Sequence, residues 1–247
     1  DEFVPISWTE ALDTIAANLN KIKAESGPES VVFYCGYPKQ PRPLLQRLAL
    51  NFGSPNYCTE SSTCFTAAIL ASRLVYGDMN GPNLAGATCA VVWGKNPFHA
   101  GTTIARHLLD ARDRGVKFIV VDPRVTPLNA IADIHLALRP GTDGALALAM
   151  ANVIISEGLH DKEFVAQWTR GFDEYRAYAA EFTLERAEEI TGVPAEKIRE
   201  AALLYATSKP AAMLFSTMPL VHQTNGVQSE RALMSLIGLT GNFDVPG

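Results

Sequence analysis

The sequence predicts an α/β fold, a mainly parallel sheet covered by helices, and three observations carry that expectation. Short apolar, β-rich runs recur along the chain: VVFYC (31–35), CAVVW (89–93), KFIVV (117–121), IHLAL (134–138) and AAMLFS (211–216). Each reads as a strand buried on both faces, because polar residues do not alternate through it. Segments of helical period separate these runs, and alternation of this kind builds βαβ units. The third observation is bulk composition. With 247 residues, 47% apolar and 19% charged, the chain is long enough for one large or two small domains around a sizeable core.

Taken in order, the first element is a helix over about 8–24. Ser7 is its N-cap, Glu10 follows three positions later, and Trp8, Leu12, Ile15, Leu19 and Ile22 share one face. Further helices are read at 41–52, 62–76, 99–114, 143–157, 194–207 with Pro194 in the first turn, and 226–238. The more charged stretch 158–193 reads as small surface helices joining two halves. The loops after the strands, GYPKQ, GKNPFHAG, DPRVTPLN, RPGTDG and STMPLVHQTNG, carry Gly or Pro together with polar groups. Ligands of open α/β sheets sit beyond the carboxyl ends of the strands, so a nucleotide-like ligand is expected.

Charge and cysteine usage exclude several classes. Net charge is −5 and no run of Lys or Arg exceeds two, so no basic surface for nucleic acid or anionic lipid is expected. No stretch approaches the roughly 18 uncharged apolar residues of a membrane span, and DEFVPISW lacks a cationic segment followed by an apolar one. Four cysteines, none in a C-x-x-C pair, are too few for a disulfide scaffold or a structural zinc site. Cys35 and Cys89 fall in strand-like runs and read as small buried hydrophobes.

Site candidates come from the loops. G-x-G-x-x-G is absent, and Gly94-Lys95-Asn96 lacks the rest of a phosphate-binding P-loop, so ordinary NAD or ATP binding is not expected. In VVWGKNPFHAG, backbone N–H groups between Gly94 and a helix near His99 can hold a diphosphate, or form a plain strand-to-helix turn; both readings stay open. Asp122, at a strand end, can accept from ribose hydroxyls or guanine N–H groups, and Arg124 follows. Asp143 competes with an ordinary N-cap role beside Thr142. The five histidines show no metal spacing, His222 in its polar loop being the most suggestive. If Ser61 or Ser62 caps the next helix, Cys64 falls in its first turn, where the dipole favours the metal-binding thiolate. Cys64 also begins an apolar series with Ala68, Ala71 and Val75, so a packed thiol remains the alternative.

In order, ISWTEALDTIAANL, GSPNYCTESSTC, VVWGKNPFHAG, the long VVDPRVTPLNAIADIHLALRPGTDGALALAMANVIISEGLHDKEFV, and TGVPAEKIREAALLYA leading to LTGNFDVPG resemble the molybdopterin oxidoreductases of the dimethyl sulfoxide reductase family. The resemblance covers nearly the whole chain. It implies two interleaved Rossmann-like units, 1–60 plus 209–247 and 61–208, each binding a dinucleotide. It implies molybdenum or tungsten on two molybdopterin guanine dinucleotides, with Cys64 as the protein's metal ligand and Cys58 as the lesser choice. Gly94, Asn96, Asp122, Arg124 and Asp143 would hold one dinucleotide, and Ser216, Thr217 through Pro219 and Asn242 would lie near the other. The family's 4Fe–4S domain and its C-terminal domain are not in this sequence, which implies a central portion, inactive alone, of a bacterial or archaeal enzyme with a small-molecule substrate and an electron-transferring iron–sulfur subunit. Phe65 stands where formate dehydrogenases carry a His, and CTESSTCF is closer to thiosulfate or polysulfide reductases. The compartment is left open. The competing classes are a non-catalytic paralogue without metal and a doubly wound domain for another nucleotide, as in thiamine-diphosphate enzymes.

Overall fold

The structure, a computed structural model, describes residues 3–62, 64–79 and 81–245, with the side chain of Ser62 also outside the description. The last two residues of LTGNFDVPG and one of the two expected helix caps, Ser62, therefore lie outside the described residues. The chain forms two compact units, Asp1–Thr63 and Cys64–Gly247.

In the first unit, α1 (Trp8–Ser26) begins as expected, with Ser7 Oγ accepting from the Glu10 N–H at 3.1 Å. It stops at Gly27, whose φ of +81° turns the chain while its N–H donates to the Lys23 carbonyl. Then follow β1 (Phe33–Cys35), α2 (Arg42–Phe52) and β2 (Tyr57–Thr59). β1 and β2 pair in parallel, Phe33 opposite Tyr57. Two expectations change here. Tyr34 is 60% exposed between buried Phe33 and Cys35, so β1 alternates and buries only one face. The apolar stripe of α1 is not covered: Trp8 is 84% exposed, Leu12 60%, and no residue of the helix is buried. β2 was not foreseen because Tyr57-Cys58-Thr59 carries no apolar run. It is set by pairing with β1 and by its approach, where Ser54 Oγ donates to the Val31 carbonyl and the Asn56 amide to the Glu29 carbonyl, both at 2.6 Å.

The second unit opens with α3 (Thr66–Tyr76), then β3 (Cys89–Trp93), α4 (Pro97–Ala100), α5 (Thr102–Asp113), β4 (Lys117–Val121) and β5 (Ile134–Leu136). α6 (Asp143–Ser156), three short helices α7 (Lys162–Trp168), α8 (Phe172–Ala179) and α9 (Leu184–Thr191), and α10 (Ala195–Thr207) lead to β6 (Ala211–Phe215), α11 (Thr217–Val221) and α12 (Gly226–Leu239). The four strands lie parallel in the order β5-β4-β3-β6. Cys89, Val91 and Trp93 pack with Ile119 and Val121 against residues of α6, α10 and α12, such as Met150, Tyr205 and Leu233. Ala90 and Val92 pack with Phe118, Val120 and Leu214 on the opposite face against Leu108 and Ala111 of α5. This is the sheet covered on both sides that the apolar runs predict. Each fully buried aliphatic or aromatic side chain contributes about 1.5–3 kcal/mol of transfer free energy.

The division of the chain differs from the expected interleaving. β6 pairs with β3 in the register Cys89↔Ala211 through Trp93↔Phe215, so 209–247 belongs with the sheet of the second unit rather than with 1–60. The charged stretch 158–193 does form small helices, but it packs within this unit and marks no boundary. The expected helix 99–114 is split at Gly101 into α4 and α5, and Pro194 precedes α10 as its N-cap.

Candidate functional site

The carboxyl ends of β3, β4 and β6 converge in the second unit. At the end of β3, Gly94 has φ +58° and its N–H donates to the Val121 carbonyl at 2.7 Å. A Cβ added there would stand 2.5 Å from Pro219 Cγ, so only glycine lets the β3 end lie against α11. Ser216, at the end of β6, donates its N–H to the Trp93 carbonyl at 3.0 Å. Thr217 opens α11. Asn96 accepts on its carbonyl from the N–H groups of His99 and Ala100, both at 3.1 Å, while its side-chain Oδ1 is buried with no partner among the described residues. Such an atom is costly unless something else donates to it.

On the neighbouring strand, Asp122 is buried and its Oδ1 accepts from the Arg124 N–H at 2.8 Å. The Arg124 guanidinium, 72% exposed, stands 3.5 Å from the same oxygen. His135 Nε2 meets the Asp122 carbonyl at 2.9 Å, fixing the strand end from β5. Asp143 is buried at the start of α6, and its Oδ1 accepts from the Trp93 indole N–H at 2.7 Å. Burial raises the Asp143 carboxyl above its ordinary range, partly opposed by that indole bond. The expected Thr142 cap is not made; its hydroxyl donates to the Arg139 carbonyl instead.

Cys64 is partly exposed in the turn that precedes α3, and its Sγ lies 3.2 Å from Met218 Sδ of α11. The expected placement in the first turn of the helix is corrected. α3 begins at Thr66 with Phe65 as an N-cap that makes no side-chain cap bond, so the dipole argument does not reach Cys64. The other thiols behave differently. Cys35 is buried and donates to the Pro38 carbonyl, and burial, with Asp133 adding to it, pushes Cys89 up to about 12, leaving it an inert core residue. Cys58 belongs to β2 of the first unit.

Cys64, Gly94 and Ser216 thus meet around α11, Asp143 joins them through Trp93, and Asp122 and Arg124 stand one strand away. Asn242 does not join them: its Oδ1 accepts from Ala211 at the amino end of β6, at 2.9 Å, and its amide donates to Thr240 Oγ1 at 2.8 Å. Among the described residues no group of three His, Cys, Asp or Glu can hold a metal, so a metal at Cys64 would need ligands from elsewhere. Sequence reasoning missed Trp93 as partner of Asp143 and missed Glu230 on α12, whose carboxyl is fully buried and without a partner among the described residues. The available signal for Glu230 was its place on the helical face of Gly226, Leu233 and Ile237.

A parallel α/β unit with glycine, amide and carboxylate at its strand ends is a nucleotide-type binding scaffold. The chain belongs to the molybdopterin oxidoreductase family, whose profile matches residues 1–247. It is 36% identical to formate dehydrogenase H of Escherichia coli over 98% of this chain and 35% of that protein. It is 33% identical to the thiosulfate reductase molybdopterin-containing subunit of Salmonella typhimurium over 100% and 32%. The solved structure of acetylene hydratase from Pelobacter acetylenicus superposes with a TM-score of 0.82 at 37% identity, over 98% of this chain and 33% of that one. The chain therefore spans about a third of the length of these relatives. Family membership implies a molybdopterin cofactor carrying molybdenum or tungsten.

Proposed function

We propose that this chain is the central cofactor-binding part of a molybdenum or tungsten oxidoreductase that carries two molybdopterin guanine dinucleotides, one of them held at the strand ends of the second unit. The single observation that carries this reading is the convergence on α11, where Pro219 lies against Gly94 and Met218 touches Cys64. The residues fit such a group. Asn96 has a buried acceptor, unpaired among the described residues, for an N–H or hydroxyl, and Gly94 keeps side chains away from the β3 end. Asp122 engages one oxygen with Arg124, which leaves the other for ribose or guanine, and the exposed Arg124 offers donors to phosphate. Asp143 spends one oxygen on Trp93, which orients its carboxylate. Ser216 and Thr217 border the same ends from β6.

Cys64 is the protein's ligand to the metal, a soft thiolate suited to a metal already bound by sulfur. When bound, the metal supplies the redox step by which an oxygen or sulfur atom, or a hydride equivalent, is exchanged with a small-molecule substrate. Phe65 packs against the core of the second unit and has no proton to exchange, which favours a thiosulfate- or polysulfide-type substrate over formate. Electrons are exchanged through a 4Fe–4S cluster elsewhere in the longer protein and an iron–sulfur partner subunit.

Metal and pterin content of the full-length protein, expressed without oxygen, tests the proposal. Wild type and Cys58→Ala are expected to carry metal and two pterins, and Cys64→Ala to lose the metal. Retention of molybdenum or tungsten with unchanged electron paramagnetic resonance in Cys64→Ala overturns it.

A further inference from the structure

A cavity of about 560 Å³ runs along β6 and α12, bordered by Ser72, Tyr76, Met213, Phe215, Glu230 and Phe243, and by Thr217 and Asn242 of the expected cofactor set. Glu230 is 0% exposed, and neither of its carboxylate oxygens has a hydrogen-bond partner among the described residues. It sits in the second turn of α12 on the face that packs inward, four residues after Gly226, where a Cβ would meet the Val221 backbone at 2.6 Å, and three before buried Leu233. That backbone approach holds α12 against α11, so Glu230 has little freedom to swing into water. A buried carboxylate without a donor is retained at a cost that a ligand can remove. The walls of the cavity are aromatic: the Tyr76 and Phe243 rings stack at 4.5 Å between centroids with 20° between planes, and the Tyr76 hydroxyl is already spent on the Met234 carbonyl. Methionine and flat rings around one carboxylate suit a planar heterocycle with paired donors rather than a sugar or a phosphate.

We propose that Glu230 is a further ligand-binding residue, which grips the edge of a 2-aminopyrimidinone ring by accepting from its ring N–H and its exocyclic amino group together. Pterin and guanine share that edge, so the chemistry is common to both ends of the cofactor. The inference rests on the proposed function, which supplies a ligand with such rings. A carboxylate accepts these two parallel N–H groups in the fork geometry that makes bidentate pairs strong and selective.

The test is equilibrium binding of 6-hydroxymethylpterin, guanosine monophosphate, and inosine monophosphate, which lacks the amino group, to the full-length protein produced without its cofactor. Burial pushes Glu230 up to about 7, so the titration is run at about pH 8, where the carboxyl is ionised. Wild type is expected to prefer the guanosine nucleotide over the inosine one by about tenfold or more, or to bind the pterin, and Glu230→Gln to lose that preference or that binding. Preference in the guanosine arm places the guanine end in the cavity; binding in the pterin arm alone places the pterin end there. Unchanged preference and affinity in Glu230→Gln overturn the inference and leave the proposed function standing. Absence of binding of every probe to wild type also overturns the inference, while metal and pterin content of the full-length protein decides the proposed function separately. Should the Gln variant not fold, Glu230→Asp keeps the charge but withdraws the carboxyl by one methylene. Its preference is expected to fall, and an unchanged preference again overturns the inference.

Discussion

β1 and β3 are both apolar runs in parallel sheets, yet they meet different surroundings. All five residues of β3 are fully buried, between two neighbouring strands and between two layers of helix, whereas β1 pairs with one strand and leaves Tyr34 in the open. The same contrast holds for charge. Glu60 in the first unit lies with Lys39 and Arg42; burial alone would raise it, but the two cations outweigh burial and hold its carboxyl at about 2. Glu230 in the second unit pairs with no cation among the described residues, and burial pushes it up to about 7. A side chain's behaviour is thus set less by its type than by how many elements surround it and what those elements offer.

The largest way to break the contrast is Trp93→Ala. It empties the fully buried end of β3 and strands the Asp143 carboxyl, and a loss of about 3–5 kcal/mol is expected in denaturant unfolding. Next comes the pH dependence of Glu230. Its folded value lies above the ordinary 4.5, so below about 4.5 it is protonated in both states and costs nothing, and stability is lost as pH rises through 7. Glu230→Gln is therefore expected to unfold at higher denaturant than wild type near pH 8, by on the order of 3 kcal/mol, with the gap closing near pH 5. Glu60 has the opposite sign: its contribution is present above its ordinary 4.5 and is lost as pH falls through about 2. Gly94→Ala, forced to φ +58° with Pro219 in the way, is expected to cost about 1–2 kcal/mol in thermal unfolding. Smallest is Leu12→Gln on the open stripe of α1, expected within about 0.5 kcal/mol of wild type in this chain. A larger loss there would mean that α1 is covered in solution.

Particular residues show how far the sequence could be read. The runs at 89–93 and 117–121 are strands end to end, because an uninterrupted apolar stretch between helical periods has few other places to go. Ser7 and Gly27 were local signals for the ends of α1, of which the cap was foreseen. The long motif from Val120 through Asp143 pointed to Asp122, Arg124 and Asp143, and the structure sets Asp122 just past β4, Arg124 in the bend that follows and Asp143 at the start of α6. The Cys64 helix position failed because α3 begins only at Thr66, two residues further on, and the contact that Cys64 makes, with Met218, lies 154 positions away. The grouping of 209–247 with 1–60 failed for a similar reason: which strand β6 joins depends on pairing with β3, and no local pattern encodes that choice.

By itself the sequence determined the fold class, the family and most element positions, since period, apolar runs and glycine act over a few residues. Only the tertiary structure decided which strands are neighbours, that Asn242 serves the amino end of β6, and that Glu230 is buried without a donor among the described residues. The reason is that hydrogen bonding and desolvation depend on groups brought close from distant parts of the chain, and proximity of that kind exists only once the chain has folded.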